Sequence, residues 1–195
     1  MATDASRNSP FIPLLAGLVP FYILVTTTAG GLIVAGGFLI AYTLAHVSTL
    51  YMPTVFSKPV IFITSIVFSS IGVSLFASLI RLIDPFLYER FFAVLYMVCF
   101  SAPVYHVAGI ADVERDRDRS WEHLAHGLGL SVSIVAVGLL RELLTTGSVM
   151  FNLVPENQSR TLLAFIAQPS GAFFLLALIL ATGRVAARIL KRSTV

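Results

Sequence analysis

Two apolar stretches of this 195-residue chain contain residues that unbroken membrane helices avoid. In Ala93–Gly109, Pro103 removes a backbone donor in mid-run, and Tyr105, His106 and Gly109 follow within six residues. Backbone that loses its helical hydrogen bonds at membrane depth survives only where protein or a water-lined cavity satisfies it. The first half repeats the pattern in Leu14–Tyr22, where Gly17 and Pro20 interrupt a similar run. Paired interruptions in corresponding halves point to a site near the bilayer midplane.

Other reactive side chains are few. Arg141 and Glu142 fall near the end of an apolar run, where snorkelling to water is the simplest account and a structural or ion-path role the sharper one. His123 and His126 are three apart beside Glu122 and Trp121; polar edging at the interface is the commoner reason for such a pair, a metal site the rarer one. His46 lies inside an apolar run and is expected to hydrogen-bond to a neighbouring helix. Cys99 is the single cysteine and is read as buried filler. It excludes an internal disulfide and any metal or iron–sulfur site built from several thiolates of this chain. Nothing resembles a phosphate-binding loop, a hydrolytic triad or a dinucleotide fingerprint, so no catalytic residue is assigned.

The composition sets the medium. Hydrophobic residues make up 57% and charged residues 12%, with a mean hydropathy of +0.89. A soluble domain has about 25% charged residues, so an all-α integral membrane protein is expected. The net charge of +3 does not imply nucleic acid, because the basic residues sit at span ends and in the tail, where topology explains them. Met1–Pro10 lacks the basic region and cleavage site of a signal peptide, so the mature chain is expected to start at Met1.

Windows of about 20 apolar residues give four continuous spans, Gly30–Tyr51, Val60–Leu82, His123–Leu144 and Gly171–Leu190. With interrupted runs at Phe11–Thr26 and Phe91–Ala108, the order is interrupted, whole, whole, twice over. The expected fold is therefore one membrane domain over residues 1–195. It has six transmembrane helices in two inverted three-helix repeats (11–82 and 91–190), the first helix of each interrupted, and a tail at 191–195. Nine Lys and Arg residues fall on the side of the termini and four (Arg81, Arg90, Arg141 and Arg160) on the other, which puts both termini in the cytoplasm. Small residues recur at spacing four in Gly37, Ala41 and Ala45, in Ser70, Ser74 and Ser78, and in Gly127 and Ser131, the pattern of close helix packing in lipid. Asp84-Pro85 reads as a turn. Asp112–Glu122 reads as a solvated connector, and Thr145–Gln168 as a long outer loop.

Three stretches also carry a family resemblance. Leu139-Leu-Arg-Glu-Leu-Leu-Thr-Thr-Gly-Ser148 is similar to the Arg-Glu-Leu/Ile-Leu-x-x-Gly motif that ends the fifth span of the membrane subunits of the Rnf complex and the sodium-pumping NADH:quinone oxidoreductase (Nqr). Gln168-Pro-Ser-Gly-Ala-Phe-Phe174 resembles the Pro-Pro-Gly-Ala-Phe-like start of their sixth span. Leu15-Ala-Gly-Leu-Val-Pro20 is similar to their Leu-Leu-Gly-Leu-Cys-Pro. The resemblance covers nearly the whole chain, and its basic tail favours the E-type Rnf and D-type Nqr subunits.

The resemblance implies a bacterial cytoplasmic (inner) membrane protein, multi-pass, that pairs with a homologous subunit of inverted topology within a larger complex. In the family each broken span offers a cysteine, and the pair of subunits holds a two-iron two-sulfur (2Fe-2S) cluster that passes electrons across the bilayer, coupled to Na⁺ or H⁺ movement. Here the first cysteine position falls on Val19, and the second on Tyr105 or, with a one-residue shift, on His106. Valine cannot ligate iron, so no cofactor is expected to be bound by this chain alone. The expected role is a membrane subunit of an Rnf/Nqr-like electron transport complex, contributing scaffold and part of a transmembrane electron or ion path. Two alternatives belong to other classes: a structural subunit recruited to another photosynthetic or respiratory membrane complex, and a small secondary transporter, which inverted repeats serve equally well.

Overall fold

The structure, a computed structural model, describes residues 17–51, 56–101, 104, 120–147 and 164–193. All regular secondary structure among them is helical: α1 (Val19–Leu24), α2 (Thr28–Tyr51), α3 (Lys58–Ile83), α4 (Pro85–Val98), α5 (Ser120–Thr146), α6 (Ala164–Ala167) and α7 (Pro169–Ser193). The four continuous runs expected from hydropathy correspond to α2, α3, α5 and α7, with ends displaced by no more than three residues. By length and composition α2, α3 and α5 can each cross a membrane, while α7 carries a shorter apolar stretch, Pro169–Ile179. At 1.5 Å per residue the three are about 36–40 Å long, enough for a hydrocarbon core of about 30 Å.

The helices α3, α4 and α5 pack around α2. Small residues let its neighbours approach: Ala41 and Ala45 are fully buried, and a Cβ at Gly37 would lie 2.5 Å from the Leu95 side chain of α4. The contacts fix the directions. Ser65 Oγ bonds Ser48 Oγ at 3.0 Å, Ser69 Oγ donates to Ala41 O at 2.9 Å, and Gly36 meets Phe76, so α3 runs antiparallel to α2. His46 meets His123, Tyr42 lies on Gly127 and Gly31 on Val135, so α5 is antiparallel as well. Gly30 meets Phe91 and Gly37 meets Leu95, so α4 runs parallel.

The Gly37-Ala41-Ala45 and Gly127-Ser131 faces are used as expected, but the Ser70-Ser74-Ser78 row is not the seam. The buried face of α3 carries Ser65, Ser69, Val73 and Ala77, and Ser78 is exposed with its hydroxyl returned to Ser74 O of the same helix at 2.8 Å. The opposite face presents Ile63, Val67, Ile71, Leu75 and Leu79 outward at spacing four. In water such a row would be a liability; for a helix in lipid it is the ordinary outer surface.

Asp84 joins α3 to α4 as a single extended residue and caps the second helix, its Oδ1 accepting from Phe86 N at 2.9 Å and Leu87 N at 3.3 Å. With Pro85 in the first turn, where its missing N–H is no loss, α4 starts six residues before the expected Phe91. It ends at Val98, followed by a turn through Phe100, short of Pro103. Leu95 against Gly37 puts that end beside the middle of α2.

The first interruption also differs in detail. Gly17 and Leu18 form a turn, and Pro20 sits in the first turn of α1, so it starts the half-helix rather than cutting one. Tyr22 Oη is bonded to Ser133 Oγ at 2.6 Å, half-way along α5. The chain then breaks again at Val25–Thr27 before α2 begins. Leu18, Val98, Cys99 and Val104 all belong to the same buried cluster.

Candidate functional site

Where α1 stops and α2 starts, three residues of non-helical backbone pass through the apolar core with unpaired helix ends on either side. The last carbonyls of α1 carry partial negative charge and the first amides of α2 partial positive charge. Both ends are satisfied from α5, which approaches closely because Gly138 faces the gap: a Cβ there would lie 2.8 Å from Thr27 O.

Arg141 provides the positive half. It is 1% exposed, and its Nη1 donates to Tyr22 O at 3.1 Å, Ile23 O at 2.8 Å and Val25 O at 3.0 Å. Its Nε donates to Ile166 O at 2.9 Å and its Nη2 to Gln168 O at 3.0 Å, at the turn between α6 and α7. One guanidinium therefore ties the ends of two short helices to α5. Five donors in a rigid planar fork suit this task, where a single ammonium could not reach all the acceptors.

Glu142 provides the negative half. It is 3% exposed, and Oε2 accepts from Thr28 N, in the first turn of α2, at 2.7 Å. Thr27 Oγ1 adds to the same cap by accepting from Gly30 N at 3.1 Å. Snorkelling of Arg141 to water is thus corrected: the side chain turns inward, because the broken segments offer it carbonyls.

The three stretches that carry the resemblance meet here. Arg141 and Glu142 form the clamp, and Gly147, at φ 74°, ends α5 by donating to Leu143 O at 2.8 Å, a backbone conformation suited to glycine. Gln168 and Pro169 begin α7, and Gly171, whose N donates to Gln168 O at 3.0 Å, packs on the Ile166 backbone with no room for a side chain. Leu18-Val-Pro20 leads into the carbonyls that Arg141 holds. Sequence reasoning singled out Arg141 and Glu142 but not their partners, since backbone carbonyls leave no residue-type signature.

Val19 is the first residue of α1, half-buried and hydrocarbon throughout. Cys99 caps the end of α4 and is almost fully buried. Tyr105 and His106 lie outside the described residues, as do Pro103, residues 11–16 and most of the two polar loops. No three of His, Cys, Asp and Glu converge as metal ligands among the described residues.

A second polar spot lies at the far end of α2. The rings of His46 and His123 are 5.2 Å apart between centroids, tilted by 45°. His46 is 6% exposed, and its Nε2 has no hydrogen-bond partner among the described residues. The sequence paired His123 with His126; the fold also brings His123 to His46.

The family model described as "Rnf-Nqr subunit, membrane protein" matches residues 2–180. No curated protein sequence and no solved structure matches the chain. A match across almost the whole length, on a helical scaffold in which the three motif segments come together, makes this chain a multi-pass membrane protein of the Rnf-Nqr subunit family.

Proposed function

We propose that the protein is an E/D-type subunit of an Rnf/Nqr-like electron transport complex that supplies scaffold for the transmembrane path but no cluster ligands of its own. The observation that carries this is the pairing of an intact clamp with an absent thiolate. Arg141 and Glu142 hold the Val25–Thr27 gap in place, while Val19, at the family's ligand position at the other end of α1, offers iron nothing. A subunit that lost its role altogether would have no reason to keep two buried charges.

In this reading, residues 11–82 and 91–190 are two inverted repeats of three spans with both termini in the cytoplasm of a bacterial inner membrane. Two heights support it: α4 ends beside the middle of α2, and Tyr22 of α1 reaches the middle of α5. The partner is a homologous membrane subunit of opposite orientation, and any 2Fe-2S cluster at their interface takes its thiolates from that partner. The second ligand position falls on Tyr105 or, with a one-residue shift, on His106, neither of which supplies a thiolate.

Affinity purification of the tagged chain from native membranes, with identification of the co-purifying chains, is the test. Recovery of Rnf/Nqr-type membrane subunits is expected. Recovery of an unrelated photosynthetic or respiratory complex would replace the reading with that of a recruited structural subunit, and substrate transport by the isolated chain in liposomes would replace it with a transporter.

A further inference from the structure

The His46–His123 contact has no part in the clamp or the breaks. Eighteen residues separate Thr28 from His46, about 27 Å along α2, so the two sites act independently. Ser48 and Thr49, the two hydroxyls that follow His46, are committed elsewhere. Ser48 Oγ donates to Ala45 O and Thr49 Oγ1 to His46 O, both at 2.7 Å. The His46 ring has a buried nitrogen, Nε2, without a hydrogen-bond partner among the described residues, in a residue more than nine-tenths buried. An unpaired polar atom in such a place loses its hydration without compensation.

We propose that His46 and His123 together bind a transition-metal cation of the zinc class, bridging α2 and α5 near the ends of the two helices. Imidazole nitrogens suit Zn²⁺, Cu²⁺ and Ni²⁺, whereas Na⁺, Mg²⁺ and Ca²⁺ take oxygen donors. Two imidazoles that meet one cation at a tetrahedral angle, with metal–nitrogen bonds of about 2.0–2.1 Å, have ring centroids about 5 Å apart. The observed separation is 5.2 Å. The antiparallel course of α2 and α5 places the two rings at one height, as it does Tyr42 and Gly127 one turn further in. No third His, Cys, Asp or Glu completes a ligand set among the described residues. Water fills the remaining positions, and the cation exchanges readily, unlike that of a closed structural site. The site requires no partner subunit, so it stands or falls separately from the role in electron transport.

The test uses the full-length chain in nanodiscs, stripped with a chelator and titrated with Co²⁺ as a spectroscopic substitute for Zn²⁺. One Co²⁺ per chain with visible d–d bands of tetrahedral intensity is expected, displaced by Zn²⁺. His46→Ala and His123→Ala should each weaken binding by at least about tenfold. Bands that are absent at saturating Co²⁺, or that persist in both variants, would overturn the proposal and mark an adventitious ion only. X-ray absorption of the Zn²⁺-loaded wild-type chain decides the matter without any variant: two imidazoles in the first shell support the site, and fewer than two refute it.

Discussion

Arg141 and Glu142 are adjacent on α5, yet they stabilise opposite poles of one gap. The guanidinium collects the carbonyls that end α1, and the carboxylate takes the Thr28 amide that begins α2. Each charge faces the helix end of opposite polarity, the arrangement in which a helix dipole and a fixed charge attract. Inside a bilayer this matters more than in water, because lipid offers the broken backbone no alternative partner. The pair therefore acts as a fixed pin for non-helical chain.

Removing the pin should be costly. Arg141→Ala removes the donor from five carbonyls, three of them in buried bonds, and is expected to destabilise by about 4 kcal/mol or more. Arg141→Lys keeps the charge but cannot fork toward both α1 and the α6–α7 turn, and should lose about 2 kcal/mol. Thermal unfolding of the purified variants in detergent gives the order: wild type, then lysine, then alanine.

Glu142 separates charge from hydrogen bonding. Glu142→Gln retains an oxygen for Thr28 N and loses the attraction to the α2 dipole, about 1 kcal/mol. Glu142→Ala leaves the amide unsatisfied and should lose about 1–3 kcal/mol. Amide hydrogen exchange at Thr28 reads the difference directly, faster in the alanine variant than in the glutamine one.

Two glycines of α5 give contrasting outcomes. A Cβ at Gly127 would lie 2.5 Å from the Tyr42 ring, and one at Gly138 2.8 Å from Thr27 O. Both alanine variants should be destabilised by about 1–3 kcal/mol. Gly127→Ala should recover when Tyr42 is shortened to Leu, because the obstacle is a side chain. Gly138→Ala should not recover with Val25→Ala, since the Thr27 backbone remains in the way. Melting temperatures of the two double variants check this.

The Tyr22–Ser133 bond ties α1 to the middle of α5. Tyr22→Phe and Ser133→Ala should each cost about 1 kcal/mol, and the double variant little more than either, the signature of a shared interaction. Additive losses would show that the two side chains act separately.

The long elements were legible because hydropathy and length decide them: α2, α3 and α5 follow their apolar windows to within three residues. The ends were less so. Asp84 caps α4 and extends it back to Pro85, a local hydrogen-bonding effect that hydropathy does not register. Pro20 reads as a breaker in a list of residues, but in the first turn of α1 it costs no hydrogen bond. The serine row of α3 misled because a serine in a helix can return its hydroxyl to its own backbone, as Ser78 does, so spacing alone does not mark the buried face. Arg141 was visible as a buried-charge candidate; what it holds was not, since the carbonyls of Tyr22, Ile23, Val25, Ile166 and Gln168 come together only in three dimensions.

The central claim is that this family member keeps the broken-helix scaffold without ligating a cluster. It is tested most directly by iron analysis with absorbance and paramagnetic resonance spectra of the chain purified together with its partners, in wild type and in Cys99→Ser, Tyr105→Phe and His106→Gln. The expected result is that iron content and spectra are the same in all four. A cluster signal that shifts or disappears in any of the three variants would mean that this chain supplies a ligand, and would contradict the claim.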